Sequence, residues 1–223
     1  MNLDTTNSGW RTSWDLFVAG NFLGDGRTQV LLYDRSAGSA NLVGFDAAGN
    51  MNLDNTFSGA PWDIVTGGYI AGNFVGNGRM QVLIFDRDAG SADILGFETT
   101  GGIPNLHTSF SGWPSSGTVV VAGNFIGNGC AQVLIYDPSA GTADVFGFDA
   151  TGNMNLHTTI SGWRTSWYAI VPGHFIGNGR SQLLLYDRSA GNADVVGFDD
   201  TGNVNLDTTN SGWRTTWTGP TYV

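Results

Sequence analysis

The dipeptide Asn-Leu begins at Asn2, Asn52, Asn105, Asn155 and Asn205, at spacings of 50, 53, 50 and 50 residues. The segments it opens are near copies of one another. Residues 2–51 begin NLDTTNSGWRTSWDLFVAGNF, and residues 155–204 begin NLHTTISGWRTSWYAIVPGHF. A fixed period of this length constrains the fold more than any other property of the chain, because each copy must adopt the same structure and bury its apolar face against its neighbours. Repeats 2–51, 52–104, 105–154 and 155–204 are therefore read as one domain spanning 1–223, with a duplicated terminal segment at 205–223.

Each copy offers four strand-length apolar runs, A to D. In the first they are Leu16–Phe22, Gln29–Asp34, Ala40–Asp46 and Met51–Thr56. The B run, with Val30-Leu31-Leu32-Tyr33, is apolar almost throughout and reads as a strand buried on both faces; the others alternate, as half-buried strands do. Gly24-Asp25-Gly26, Asp34-Arg35-Ser36-Ala37-Gly38 and Asp46-Ala47-Ala48-Gly49-Asn50 separate them, all of turn composition. No window keeps a 3.6-residue period. Four short antiparallel strands per repeat predict an all-β fold, a small β-propeller of about four blades. A solenoid fits less well, because its terminal units are usually atypical caps.

The ends add a constraint. Residues 2–14 and 205–217 are identical except for Ser13 and Thr216. The chain thus encodes five D-type segments for four blades. Either one end is displaced, or it completes a blade in a second copy, making a homo-oligomer.

Composition narrows the partners. The formal charge is −10, and all nine basic residues are arginine, a surface that repels nucleic acid. No run approaches a membrane span, and Met1–Thr6 carries no leader. The expectation is a soluble chain, cytoplasmic or exported without a leader peptide. Cys130 is the single cysteine; it stands where other repeats have Arg27, Arg79 and Arg180, and a lone thiol without a base suggests no chemistry.

The run Val18-Ala19-Gly20-Asn21-Phe22-Leu23-Gly24-Asp25-Gly26-Arg27-Thr28-Gln29-Val30-Leu31-Leu32-Tyr33, which recurs in all four repeats, resembles the FG-GAP/VCBS propeller repeats. With Ser8-Gly9-Trp10-Arg11 and Val43-Gly44-Phe45-Asp46 added, the chain is similar to the mushroom propeller lectins of the Psathyrella velutina type. That resemblance implies binding of N-acetylglucosamine and related sugars, although those lectins have seven blades. Calcium is common in the A–B loops of FG-GAP repeats. Here the corresponding positions hold Asn21, Leu23, Asp25 and Gln29, and in the last repeat His174, Ile176, Asn178 and Gln182, too few carboxylates for a hard cation. No metal or cofactor is expected, and the amides are assigned to Asx turns.

In a meander, the D–A segment and the B–C turn share one side of a blade. Trp10, Arg11 and Trp14 are thereby placed near Asp34 and Arg35, and Trp163, Arg164 and Trp167 near Asp187 and Arg188. Trp113, Trp213 and Arg214 complete the candidate carbohydrate-binding set. Indole faces and planar donors and acceptors suit sugar rings and hydroxyls. A structural reading competes at each position: Trp14, Trp62 and Trp167 as core wedges, and Asp34, Asp86, Asp137 and Asp187 as turn caps. Trp10, Trp113, Trp163 and Trp213 sit in loops, where an indole is expected to contribute little core. Ala60-Pro61 and Pro114 break the pattern in repeats two and three, so the sites are expected to be unequal. The three histidines form no nucleophile–base spacing, and no asymmetric carboxylate pair of the glycosidase kind is present. The expectation is a multivalent lectin and not an enzyme, with a sugar-independent protein-interaction or adhesion scaffold as the alternative.

Overall fold

A computed structural model describes residues 5–58, 67–116 and 119–216. Within them lie sixteen strands and no helix. Blade 1 comprises β1 (Leu16–Gly20), β2 (Gln29–Asp34), β3 (Ser39–Phe45) and β4 (Met51–Ser58). Blade 2 comprises β5 (Gly67–Gly72), β6 (Gln81–Asp86), β7 (Ser91–Phe97) and β8 (Pro104–Ser111). Blade 3 comprises β9 (Val119–Gly123), β10 (Gln132–Asp137), β11 (Thr142–Phe148) and β12 (Met154–Ser161). Blade 4 comprises β13 (Ala169–Gly173), β14 (Gln182–Asp187), β15 (Asn192–Phe198) and β16 (Val204–Ser211). Each is a four-stranded antiparallel sheet in sequence order, and the fold class is an all-β propeller of four blades.

The chain divides into two compact units. One holds residues 1–73 and 77–113, the other 74–76 and 114–223. In the first, Val18, Phe22, Leu31, Tyr33 and Leu42 from blade 1 meet Val82, Ile84, Leu95 and Phe97 from blade 2. In the second, Val121, Phe125, Leu134 and Val145 from blade 3 meet Ile170, Leu183, Leu185 and Phe198 from blade 4.

The B strands are buried along most of their length, as their apolar runs predict. The C strands depart from the half-buried reading: β3 and β7 are buried nearly throughout. They are central strands, and their alternate positions carry Ala40, Asn41 and Asp93, which are small or hydrogen-bonded enough to be covered. The D strands β4, β8 and β12 alternate between half-buried and exposed, and β1 alternates as expected, whereas β16 is exposed from Asp207 to Ser211. Every C–D pair carries one bulge. Gly44 pairs with Leu53 and Phe45 with Met51, leaving Asn52 unpaired; Asn105, Asn155 and Asn205 are skipped in the same way.

Three ring contacts repeat along the chain. Phe22, just beyond β1, meets Phe97 edge-on at 5.6 Å between centroids. Phe74 meets Phe148 at 5.9 Å, and Phe125 meets Phe198 at 5.4 Å.

The two copies of the duplicated segment have different fates. Residues 204–211 form β16, whereas residues 5–15 form no strand. The N-terminal copy instead lies along the C–D turn of blade 1. The Thr5 hydroxyl donates to the Ala48 carbonyl at 2.9 Å, and Asn7 Nδ2 to that of Gly49 at 3.2 Å. Residues 2–4, Ala60, Pro61, Trp62 and Trp217 lie outside the described residues.

Candidate functional site

The D–A segment crosses from one blade to the next, and its side chains divide between the two. The tryptophan after Ser-Gly stays with the blade it leaves. Trp163 N–H donates to the Gly141 carbonyl, and the indole sits 5.9 Å from the Tyr136 ring of the same blade. Trp213 repeats this with Gly191 and Tyr186. Trp113 lies against Phe85 and Phe110 and is only 4% exposed. These loop indoles pack against their own blades, Trp163 directly on the hydrophobic core of its unit, contrary to the expectation that a loop indole adds little core. The reason lies in the backbone: the hydrogen bond to a B–C glycine turns the indole inward over the B-strand aromatic.

The arginine that follows reaches the next blade. The Arg164 guanidinium lies 5.1 Å from the Trp167 ring centre, 3.9 Å from Asp187 Oδ2 and 3.8 Å from Asp194 Oδ2. In blade 1, Arg11 lies 5.4 Å over Trp14, 3.7 Å from Asp34 Oδ2, and donates to Ser39 Oγ at 3.1 Å. Asp34 also caps its turn. It accepts from Ser13 Oγ at 2.5 Å, Ser36 Oγ at 2.7 Å and Ala37 N–H at 3.0 Å. Those hydroxyls, then the amide and Arg11, hold its carboxyl at about 2. Asp187 is capped likewise by Ser166 and Ser189, whose hydrogen bonds outweigh burial and keep its carboxyl below the ordinary range. The Arg35 backbone N–H donates to Asp15 Oδ2. Arg188 stacks over Tyr168 at 5.3 Å and donates from Nε to the Thr215 carbonyl. Tyr186 donates to the Arg214 carbonyl.

The structure therefore brings together Arg11, Trp14 and Asp34, and again Arg164, Trp167 and Asp187. Trp10 differs from its counterparts. It lies parallel to Phe45, at 6.4 Å and 5° between planes, and stays 36% exposed.

A cavity of about 190 Å³ opens beside this arrangement in blade 1, lined by Trp10, Arg11, Trp14, Asn41, Asp54 and Thr56 among others. Asn41 Nδ2 donates to Asp54 Oδ1 at 2.8 Å. Its Oδ1, and the Trp14 Nε1–H, are buried and have no hydrogen-bond partner among the described residues. Residue-level reading missed Asn41 and its pairing with Asp54. The signal was a polar residue within each Ser/Thr/Asn-Ala-Asn/Asp stretch, diagonally across from the residue two beyond Asn in the D strand. That pair varies from blade to blade: Asp93 with His107 and Asp144 with His157, each at 2.8 Å. In blade 4 two carboxylates stand there, and burial together with Asp194 raises the pKa of Asp207. A wider depression of about 600 Å³ on blade 4 is lined by Ser166, Trp167, Tyr168, Arg188 and Thr215.

The A–B loops are held as Asx turns. Asn77, Asn128 and Asn178 each accept, through Oδ1, the backbone N–H two residues on and the amide of Gln81, Gln132 and Gln182 respectively. Asp25 does the same for Arg27 and Gln29. Among the described residues, no three His, Cys, Asp or Glu side chains gather as a metal site.

No protein-family model matches the chain, and no curated protein does. Among solved structures it is similar to part of the Photorhabdus luminescens Tc holotoxin pore. The TM-score is 0.61 at 12% identity, over 94% of this chain and 10% of that one. It is also similar to the exotype rhamnogalacturonan lyase YesX, at a TM-score of 0.48 and 11% identity over 86% and 40% of the two chains. The Dos1 propeller gives 0.46 and 14% over 84% and 45%. The chain thus spans a tenth of the toxin chain it matches, and at that identity the likeness concerns the fold alone.

Proposed function

We propose that this chain is a multivalent carbohydrate-binding protein of the FG-GAP-like propeller kind, a binder and not an enzyme. Each site lies where the D–A segment enters a blade. The observation that carries this reading is the blade 1 cavity, lined by two indoles, with an arginine held over one of them and two buried polar atoms, Asn41 Oδ1 and Trp14 Nε1, that have no hydrogen-bond partner among the described residues. Buried polar groups are costly unless paired, so a ligand bringing a hydroxyl or amide hydrogen and an acceptor oxygen gains doubly there. The C–H face of a pyranose suits the exposed Trp10 ring, and its hydroxyls suit Arg11 and Asp54. N-acetylhexosamines supply an amide hydrogen and a carbonyl on one ring, which suits an unpaired acceptor and an unpaired donor on residues that line one cavity.

Single-site affinity is expected to be weak, and repetition raises the effective affinity for clustered glycans by ~100-fold or more. A glycan array followed by calorimetry with the free sugar tests the reading. Binding should be inhibited by the monosaccharide and lose one site in Asn41→Ala, with the fold intact by circular dichroism. A silent array together with capture of a protein partner that free sugars do not displace would replace it with the scaffold reading.

A further inference from the structure

One pair of positions recurs in every blade, on the C strand and diagonally across on the D strand, and its chemistry changes from blade to blade. In blade 1 the Asn41 amide donates to Asp54 at 2.8 Å. In blades 2 and 3 an imidazole takes the place of the second residue. His107 Nε2 lies 2.8 Å from Asp93 Oδ1, and His157 Nε2 lies 2.8 Å from Asp144 Oδ1. Those oxygens also accept from the hydroxyls of Ser109 and Thr159.

Blade 4 puts Asp194 and Asp207 at these positions, and an ionised carboxylate has no hydrogen to give. Asp194 is 3% exposed, yet its Oδ1 has no hydrogen-bond partner among the described residues. Its Oδ2 lies 3.8 Å from Arg164, too far for a hydrogen bond. That guanidinium is shared with Asp187, 3.9 Å away. Thr209 stands opposite Asp194 in the register, as Thr159 stands opposite Asp144, and is exposed.

The pair therefore lacks hydrogen and positive charge together. A divalent metal suits it poorly, because it wants about six to eight oxygens. Asp187 is already held by Ser166 and Ser189, and among the described residues no three metal-ligating side chains gather. An ammonium group suits it well. It carries three donors and no acceptor, and its hydrogen bonds to carboxylates are roughly twice as strong as neutral ones.

We infer that the blade 4 site selects a hexosamine bearing a free ammonium group, held by Asp194 and Asp207, where the blade 1 site takes the neutral N-acetylated sugar. This rests on the reading that sugars bind where the D–A segment enters a blade. Arg164 lies over Trp167 as Arg11 lies over Trp14, so the surroundings of the ring are kept and the charge is what changes. An amide of the protein, Asn41, becomes a carboxylate, and an amide of the ligand becomes an amine.

Calorimetry of the full chain at neutral pH with glucosamine, N-acetylglucosamine and glucose tests the inference. Glucosamine should occupy one site that glucose leaves empty. Asp194→Asn installs the blade 1 residue, and Asp207→His installs that of blades 2 and 3. Each should weaken glucosamine about 10- to 100-fold, the worth of one charged hydrogen bond, and leave N-acetylglucosamine binding unchanged. Both residues already stand at these positions in other blades, so the variants should fold, as circular dichroism checks. Asn41→Asp should make the opposite exchange, replacing the N-acetylglucosamine site of blade 1 with a second glucosamine site. The inference is overturned if glucosamine binds no better than glucose, or if both aspartate variants bind it as the wild type does. It is equally overturned if calcium binds there instead and is lost in Asp194→Asn. If N-acetylglucosamine binds at the Asn41 site and glucosamine does not bind in blade 4, this inference falls alone. If no sugar binds, the carbohydrate reading falls with it.

Discussion

Tyr136 donates a hydrogen bond at 2.6 Å to the carbonyl oxygen of Arg164, tying the B strand of blade 3 to the backbone that delivers Arg164 to blade 4. The same tyrosine supports the Trp163 indole. Its phenol is pushed above its ordinary pKa, first by burial and then by Asp137 and Asp187, so it stays a donor at any working pH. Tyr136→Phe should cost about 1 kcal/mol, the net value of one hydrogen bond. It should also weaken sugar binding at the Arg164 site, which denaturant midpoints and calorimetry on the same samples separate.

Trp163→Ala should be a stability variant. The indole is half-buried against the second core, so its loss should lower unfolding free energy by about 2–3 kcal/mol, somewhat below the range for fully buried large-to-small changes. Urea titration checks it. A change under 0.5 kcal/mol would mean that the Tyr136 contact is incidental.

Gly141 and Gly129 should respond differently to alanine. Both have positive φ, 63° and 83°. A Cβ at Gly141 would stand 2.5 Å from the Trp163 carbonyl oxygen, whereas at Gly129 it meets nothing within 4 Å. Gly129→Ala should cost about 1 kcal/mol from backbone conformation alone, and Gly141→Ala at least about 1 kcal/mol more. Thermal melts of the pair measure the difference.

Acid should destabilise the chain through its turn caps. Asp34 titrates at about 2 when folded and near 3.9 when unfolded. The unfolded state therefore binds the proton first. The contribution is complete above the unfolded value and is lost as pH falls from about 4 toward 2. Asp149 and Asp199, lowered by the hydroxyls of Thr151 and Thr201, act in the same sense. Asp207, raised by burial and by Asp194, acts in the opposite sense and gains from protonation. Melting temperature should be flat through neutral pH and fall below about pH 4, with a shallower fall in Asp34→Asn.

Calcium should leave stability unchanged. The oxygens a cation would use in the A–B loops already accept backbone and glutamine hydrogens. Melts with EDTA and with millimolar calcium should coincide; a rise of several degrees with calcium would show that these turns open to a cation.

The strands, their order and the turn chemistry were legible in the sequence because they are local. Each depends on a few neighbouring residues and is stated four times. The division of the Ser-Gly-Trp-Arg segment was not legible. Read locally, Trp163 and Arg164 are neighbours in one loop; in the structure one belongs to the blade behind and the other to the blade ahead. Trp10 and Trp163 share the flanking Ser-Gly and Arg-Thr-Ser-Trp, yet Trp10 lies on Phe45 and Trp163 on Tyr136. The Phe22–Phe97 contact and the Asn41–Asp54 pair were equally hidden, since each depends on which strand or blade lies alongside.

The unpaired asparagine in each C–D pair bears on how the gene can change in length. Between Phe97 and Pro104, blade 2 has a turn running from Glu98 to Ile103, one residue longer than the turn from Asp46 to Asn50. Past the bulge the pairing resumes identically, with Gly96 opposite Leu106 as Gly44 is opposite Leu53. Register is decided on the strand side of the bulge, so a codon gained or lost in the turn stops there. Inside and outside along the outermost strand do not trade places. Insertions can accumulate at that rim of the molecule while the outer strands inherit the same faces from one generation to the next.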